Sequence, residues 1–184
     1  TDMLILFERM AWWFHILGIL AFLLSCDAFS QNQYEVFSEK PNEKTYKGII
    51  SREALVNDTS FKWYAENQRT YKPNSFAIEG LQKNKDSIQL LVFMGTWCDD
   101  SHYIVPKLYA LVDAAGFPES RITLIGVDRN KTTLSHLAEA LDIKNVPTIM
   151  VMKNGKETGR VVEYGKSGLF DKDLGDILSS MNKP

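Results

Sequence analysis

The sequence predicts an α/β fold in which a mixed β-sheet is flanked by helices, with a short helical N-terminal extension. Two observations predict this fold. From residue 87 onward, apolar runs of strand length alternate with segments whose apolar residues recur at a helical period. Near the end of the chain, Asn154-Gly155 separates two further runs of strand length and is typical of a tight hairpin. Together these features give the element order β-α-β-α-β-β-α.

Residues 1–30 are predicted to be a targeting segment. Residues 10–25, MAWWFHILGILAFLLS, are almost continuously apolar and follow Arg9, which is typical of a secretory signal. The run is short for a bilayer span, although an uncleaved membrane anchor is the alternative. We therefore expect an exported, periplasmic protein.

Two processing sites compete in this segment. Ala28-Phe29-Ser30 carries small residues at the positions that signal peptidase prefers, which would make residues 1–30 the signal peptide. Leu23-Leu24-Ser25-Cys26 resembles a lipobox, in which a lipoprotein signal ends before Cys26 and that cysteine is lipidated. Contact with the membrane is therefore expected only if Cys26 is lipidated or the signal is uncleaved.

Cys26 and Cys98 are the two cysteines of the chain. Because processing removes or alkylates Cys26, we expect one free thiol and no structural disulfide in the mature protein. The formal net charge is −2, and no cluster of Lys and Arg interleaves with aromatic residues. We therefore expect no nucleic-acid partner.

Residues 31–86 are predicted to form the N-terminal helical extension. Residues 31–47 are polar and are expected to be extended or loose. Ser51 is a candidate cap for a first helix, Thr59 or Ser60 for a second, and residues 75–83 form a third. Aromatic residues are expected to anchor this region on the main domain, namely Phe61, Trp63, Tyr64 and Tyr71.

Residues 87–184 are predicted to be one α/β domain. Strands are expected at residues 88–94, 122–127, 148–152 and 158–164. Helices are expected at residues 99–115 with Gly116 ending the helix, from Thr132 or Thr133 with Leu134, Leu137, Ala138 and Leu141 facing inward, and at residues 170–181.

Several motifs in this domain are spaced as in one known superfamily. Trp97-Cys98 follows the first strand of the domain and opens the next helix, and Pro106 lies within that helix. Val146-Pro147-Thr148 leads into the third strand, and Lys153-Asn154-Gly155 turns the chain after it, while Gly165 follows the last strand. On these motifs the domain resembles the thioredoxin superfamily.

Cys98 is the predicted nucleophile. A cysteine at a helix N-terminus faces unpaired N–H groups and the positive end of the helix dipole, and both favour the thiolate. The resemblance implies that Pro147 is cis and lies beside this sulfur. Strand-like backbone there would let an extended peptide pair next to Cys98, so Trp97, Val146, Pro147 and Thr148 are the predicted substrate-binding residues.

Two positions depart from the superfamily pattern. Ser101 stands where the second cysteine of a C-x-x-C pair is found, so the usual resolving attack has no thiol to make it. Val92 stands where members often carry a buried Asp that serves the resolving thiol. Ser101 can still donate a hydrogen bond to the Cys98 sulfur, and we predict it as a catalytic residue beside Cys98.

Asp99, Asp100 and His102 are predicted to tune the thiol. Two carboxylates in a first helical turn stabilise the helix but oppose a neighbouring thiolate, so the sequence leaves the balance open. Helix capping alone is the alternative role for the aspartates. His102 lies four residues after Cys98, on the same helical face. Because no second Cys or paired His supports a metal site, we expect no metal and no cofactor.

Two functions remain open from the sequence. In the first, the protein is a thiol-disulfide oxidoreductase or isomerase-like protein of the cell envelope, in which Cys98 forms mixed disulfides with client proteins or small-molecule thiols and disulfides. In the second, it is a redox-inactive, thioredoxin-like binding module. The retained Trp97-Cys98 pair favours the first, while the two aspartates and the missing second cysteine favour the second.

Overall fold

The computed structural model describes residues 33–181, and the predictions made for residues 1–30 lie outside them. Within this range the strands are β1 (Tyr34–Phe37), β2 (Thr45–Ile50), β3 (Ile88–Met94), β4 (Ile122–Gly126), β5 (Thr148–Lys153) and β6 (Lys156–Val162). The helices are α1 (Arg52–Asn57), α2 (Trp63–Arg69), α3 (Ser75–Asn84), α4 (Asp99–Ala115), α5 (Leu137–Ala140) and α6 (Phe170–Ser180). Single 3₁₀ turns lie at Glu119–Arg121 and Leu134–His136.

The strands form one six-stranded mixed sheet in the order β1-β2-β4-β3-β5-β6. β3 and β4 are parallel, and the other neighbouring pairs are antiparallel. The predicted mixed sheet flanked by helices is confirmed. This order places the end of β3, from which the chain enters α4, between β4 on one side and β5 and β6 on the other.

Successive side chains of β3 point to opposite faces of the sheet, and apolar residues on both faces are buried. Ile88, Leu90 and Val92 join the larger core, which is covered by α4 and α6. Phe93 points the other way, into a smaller core that includes Ala138 of α5. A central strand covered on both faces is therefore encoded by a nearly continuous apolar run, as in β3.

The local signals in the sequence explain most of the element ends. The Ser51 hydroxyl accepts a hydrogen bond from the N–H of Ala54 at 3.2 Å and caps α1, as predicted. Gly116 ends α4 with φ of 60°, in the left-handed region. Asn154 and Gly155 have φ of 52° and 74° and close the β5–β6 hairpin, as predicted for this pair.

Residues 31–47, predicted to be extended or loose, contain strands that the sequence did not reveal. The range contains β1, and β2 begins at Thr45. β2 pairs antiparallel with β4, so the extension contributes two strands to the sheet as well as helices. β1 is a four-residue strand at the edge of the sheet, and such a strand leaves little hydrophobic pattern in the sequence.

Two helix predictions also need correction. α2 begins at Trp63 without a side-chain cap, so neither Thr59 nor Ser60 caps it. The helix expected from Thr132 or Thr133 is only a 3₁₀ turn followed by the four residues of α5, because Ser135 and His136 both adopt positive φ. Leu134, expected to face inward, is exposed.

Between residues 33 and 181, none of the helices combines the length and the apolarity that a membrane crossing requires.

Candidate functional site

Cys98 is the N-cap residue of α4, directly after the loop that follows β3. Its backbone N–H donates to the Gly95 carbonyl at 3.0 Å, and its carbonyl accepts from the His102 N–H at 3.0 Å. The thiol is partly buried and donates to the carbonyl oxygen of Val146 at 3.2 Å. The reactive group therefore lies between the start of a helix and the residue before Pro147.

Ser101 and Val92 lie in the protein interior. The Ser101 side chain is fully buried, and its hydroxyl oxygen accepts a hydrogen bond from the Gly95 N–H at 3.2 Å. Val92 is also fully buried, in the larger core. Sequence analysis suggested a bond from Ser101 to the Cys98 sulfur, but the bonds formed here join Ser101 to Gly95 and Cys98 to Val146.

The Val146–Pro147 peptide bond is cis. The Val146 side chain is buried in the smaller core, so its carbonyl is the part that faces Cys98. The Thr148 hydroxyl donates inward to the Asn145 carbonyl at 2.7 Å. The Pro147 carbonyl accepts from the Glu163 N–H at 2.7 Å. The side chains of Val146 and Thr148 therefore point into the protein, and the backbone of this segment faces Cys98.

Trp97 is held tightly beside Cys98. Its indole N–H donates to the Val127 carbonyl at 2.9 Å, at the end of β4. The ring covers Gly95, where an added Cβ would lie 2.6 Å from a ring carbon. Glycine is therefore required at position 95 for the ring to take this place.

Arg129 is a site residue that the sequence did not reveal. Its guanidinium lies 4.9 Å from the centre of the Trp97 ring and is paired with the Glu43 carboxylate at 2.5 Å. The hydrogen bond to Glu43 raises the pKa of Arg129 most, and the nearby Cys98 sulfur contributes to the same rise. Lys131 adds a second cation, 5.7 Å from the same ring centre. No motif marked this loop.

Tyr164 is the second residue that the sequence did not reveal. It follows β6, directly before Gly165, and its hydroxyl donates to the Asp100 carboxylate at 2.9 Å. Its ring lies 5.8 Å from that of Tyr103, and the Lys107 ammonium contacts the Tyr103 ring at 2.9 Å from its centre. Both tyrosine rings are exposed. The only nearby signal in the sequence was the glycine that follows Tyr164.

The sheet order places Arg129 and Tyr164 on opposite sides of Cys98. Arg129 follows β4 on one side of β3, and Tyr164 with its Asp100 partner lies towards β6 on the other. Asp99 is fully exposed, and its carboxylate lies 3.7 Å from the His102 ring nitrogen Nδ1. The thiol is thus flanked by the Arg129–Glu43 ion pair and Lys131 near Trp97, and by the two carboxylates in the first turn of α4.

Removing the Asp100 charge should lower the pKa of Tyr164. Burial raises that pKa first, followed by the Asp100 hydrogen bond and charge, to about 12. In Asp100→Asn the acceptor carboxylate is gone, so ionising the phenol costs less and the pKa should fall towards its ordinary value near ~10. Ultraviolet titration of the phenolate band measures this, with Tyr164→Phe identifying the transition. An unchanged titration in Asp100→Asn would show that the bond does not persist in solution.

His102, predicted to tune the thiol, makes its contacts away from the sulfur. Its ring stacks on Trp63 with centres 4.3 Å apart and planes 13° apart. Its Nε2 is 2.8 Å from the Thr96 carbonyl oxygen. Among residues 33–181, His, Cys, Asp and Glu side chains form no group of three or more that could hold a metal ion.

Comparisons with known proteins agree with this geometry. A family model described as Thioredoxin matches residues 69–173. The chain is 34% identical over 94 residues to a thioredoxin of Chlamydia pneumoniae, an alignment that covers 51% of this chain and 79% of that protein. It is 28% identical over 109 residues to a thioredoxin of Mycobacterium tuberculosis, covering 59% and 87% of the two chains.

A solved structure of a protein of unknown function from Pseudomonas aeruginosa shares the fold. It superposes with a TM-score of 0.51 at 18% identity, over 72% of this chain and 92% of that one.

Proposed function

The chain belongs to the thioredoxin family, and on that premise we propose that it is a cell-envelope thiol-disulfide oxidoreductase or isomerase-like protein that uses Cys98 as its single nucleophile. Family membership supports the general function. The position of Cys98 at the start of α4, against the carbonyl of Val146, is the observation that carries the more specific proposal.

The first step is attack by the Cys98 thiolate on a client disulfide. A bond forms between the Cys98 sulfur and one client sulfur, and the client S–S bond breaks. The second client sulfur leaves with the electron pair as a thiolate and takes up a proton from water. As the Cys98 sulfur loses its proton, the Val146 carbonyl loses its donor and becomes free to accept an N–H from the bound peptide.

The second step must use a thiol from outside this site, because Ser101 has no sulfur to supply. If a second client thiolate attacks the client sulfur of the mixed disulfide, Cys98 leaves as thiolate and the client disulfide is rearranged with no net redox change. If a small-molecule thiol attacks the Cys98 sulfur instead, the client is released reduced. A second small-molecule thiol then frees Cys98 and forms the small-molecule disulfide.

The proposed location in the cell envelope rests on residues 1–30. The apolar run at residues 10–25, after Arg9, is typical of an export signal, and Cys26 offers a lipidation site. Export would place Cys98 in a compartment where client disulfides form and need rearrangement. Processing at either of the two predicted sites leaves Cys98 as the free thiol.

Trapping of the mixed disulfide tests this proposal. The full-length chain with Cys26→Ser is mixed with a peptide disulfide, quenched in acid and analysed by mass spectrometry for an adduct on Cys98. We expect the adduct to form and to be released by added small-molecule thiol. The matched control, Cys26→Ser with Cys98→Ser, should form none. Absence of any adduct in the first protein would overturn the proposal.

A binding module without redox activity is the second candidate. It is favoured by the hydrogen bond that the Cys98 thiol donates to the Val146 carbonyl, which stabilises the protonated sulfur, and by the carboxylates of Asp99 and Asp100 in the first turn of α4. In that case Cys98→Ser would bind client peptides as tightly as the unaltered protein. Loss of binding in Cys98→Ser would exclude it.

A further inference from the structure

We propose that the N-terminal segment before residue 69 holds the Cys98 loop in its reactive position through Thr96, with Thr96 and His102 as positioning residues. The Cys98 loop is the segment Gly95–Cys98 that joins β3 to α4. The proposal rests on the proposed function, since it concerns the reactivity of Cys98. The segment that supplies the contacts lies before the residues matched by the family model.

Thr96 joins the Cys98 loop to β2 and to the residue before it. Its hydroxyl donates to the Lys44 carbonyl at 2.7 Å and accepts from the Tyr46 N–H at 3.0 Å. Thr96 is buried, so water cannot replace these bonds readily. One side chain therefore fixes the loop to a strand that precedes it by some fifty residues.

His102 fixes the same loop from the other direction. A carbonyl oxygen can only accept, so the Nε2 that lies 2.8 Å from the Thr96 carbonyl carries the hydrogen in either charge state of the ring. His102 lies one turn into α4, and its backbone N–H donates to the Cys98 carbonyl. The loop is thus closed onto the first turn of the helix that Cys98 caps.

Trp63 and Asn67 of α2 hold His102 in turn. The Trp63 ring stacks on the imidazole, and the Asn67 side-chain amide donates to the His102 carbonyl at 3.1 Å and to the Trp63 carbonyl at 3.0 Å. α2 therefore fixes both the ring and the backbone of His102. These contacts join the N-terminal segment to the start of α4 a second time.

The reactivity of Cys98 depends on how closely the N–H groups at the start of α4 approach its sulfur. The N–H groups at the start of α4 act only on a sulfur held close to the helix axis, since the effect falls off within a turn. A loop freed from His102 or from β2 would hold the sulfur there for a smaller part of the time. Cys98 would then react more slowly.

The test compares two pairs of variants in the full-length chain with Cys26→Ser. His102→Phe keeps a ring over Trp63 and removes the donor, while His102→Gln keeps an N–H donor and removes the ring. Thr96→Val removes the hydroxyl, and Thr96→Ser keeps it. The rate of Cys98 alkylation by iodoacetamide is measured as a function of pH, and circular dichroism confirms folding. His136→Phe is the control, because that histidine side chain is 91% exposed.

His102→Phe loses one hydrogen bond and should react about fivefold more slowly, the equivalent of ~1 kcal/mol. Thr96→Val loses two hydrogen bonds and should react at least about fivefold more slowly. His102→Gln, Thr96→Ser and His136→Phe should stay within about twofold of the starting protein. If His102 matters only for packing, His102→Phe will keep its rate and His102→Gln will lose it, which overturns the proposal. Should Thr96→Val fail to fold, the His102 pair decides the bond to the loop. Asn67→Ala, which removes the α2 bond to the His102 carbonyl, then decides the role of the N-terminal segment: it should slow alkylation, and an unchanged rate overturns the proposal.

These readouts are independent of the proposed function. If the starting protein forms no mixed disulfide with peptides while His102→Phe still alkylates slowly, the proposed function falls and the positioning role stands. If mixed disulfides form but His102→Phe and Thr96→Val alkylate at the starting rate, the positioning role falls and the proposed function stands.

Discussion

Replacing Ser101 with cysteine should speed release of a mixed disulfide on Cys98 by roughly 100-fold or more at ~1 mM external thiol. Positions 98 and 101 share one helical face, so the introduced thiol would attack within the molecule at a far higher effective concentration than thiol in solution. The Ser101 side chain is buried and its hydroxyl accepts from Gly95. Sulfur is a weaker acceptor, so we also expect a loss of about 1 kcal/mol of stability.

The measurement loads Cys98 with a disulfide-bonded peptide in the Cys26→Ser background and follows peptide release after thiol is added. The increase in the rate of peptide release should grow with pH, because the introduced thiol must ionise in apolar surroundings. Val92 carries no group that could accept its proton. Ser101→Ala is the matched control, since it removes the hydroxyl without adding sulfur. Equal release rates for the cysteine and alanine variants would show that position 101 cannot reach the mixed disulfide.

The sequence predicted the centre of the fold well because that part is specified by strong, local patterns. β3 spans residues 88–94 and α4 spans residues 99–115, as the apolar run, the acidic first turn and Gly116 indicated. The same signals located Cys98 at a helix start. Because these elements are buried, the spacing of their apolar residues identifies each one as a helix or a strand.

The surroundings of Cys98 could not be predicted in the same way. Arg129 and Tyr164 reach the site from loops after β4 and β6, and nothing in their own segments distinguishes them from other surface residues. His102 was recognised, but its partner Trp63 lies in another helix, so the direction of its ring could not be inferred. Contacts between distant segments depend on the register of the sheet, which no local pattern encodes.

Strand β2 was not predicted from the sequence, although Gly126 in β4 gave one indication of it. A glycine inside a strand often marks a close approach of another backbone. An added Cβ at Gly126 would lie 2.0 Å from the carbonyl oxygen of Tyr46 in β2. Gly126 in the apolar run 122–127 therefore indicated a neighbouring strand, although the sequence alone did not say which.

Gly126→Ala should accordingly be among the most destabilising single changes in the chain. The methyl group meets backbone, which cannot rotate away, so β2 must move from β4 at a cost of about 3 kcal/mol. For a domain of this size that loss should lower Tm by roughly 6–12 °C. Because the Tyr46 N–H bonds to Thr96, the shift should also loosen the Cys98 loop. Cys98 alkylation should therefore slow in the folded variant at temperatures well below its Tm.

Gly116→Ala provides the matched control for the same substitution. Gly116 has a φ of 60° and no atom within 4 Å of an added Cβ, so alanine there carries only the backbone cost of the left-handed region. That cost is about 1 kcal/mol, or roughly 2–4 °C in Tm. Thermal unfolding of both variants separates steric displacement of β2 from a general intolerance of alanine. If Gly126→Ala unfolds no earlier than Gly116→Ala, β2 does not pack against β4 as closely as the structure shows, and the link from the N-terminal segment to Cys98 loses its foundation.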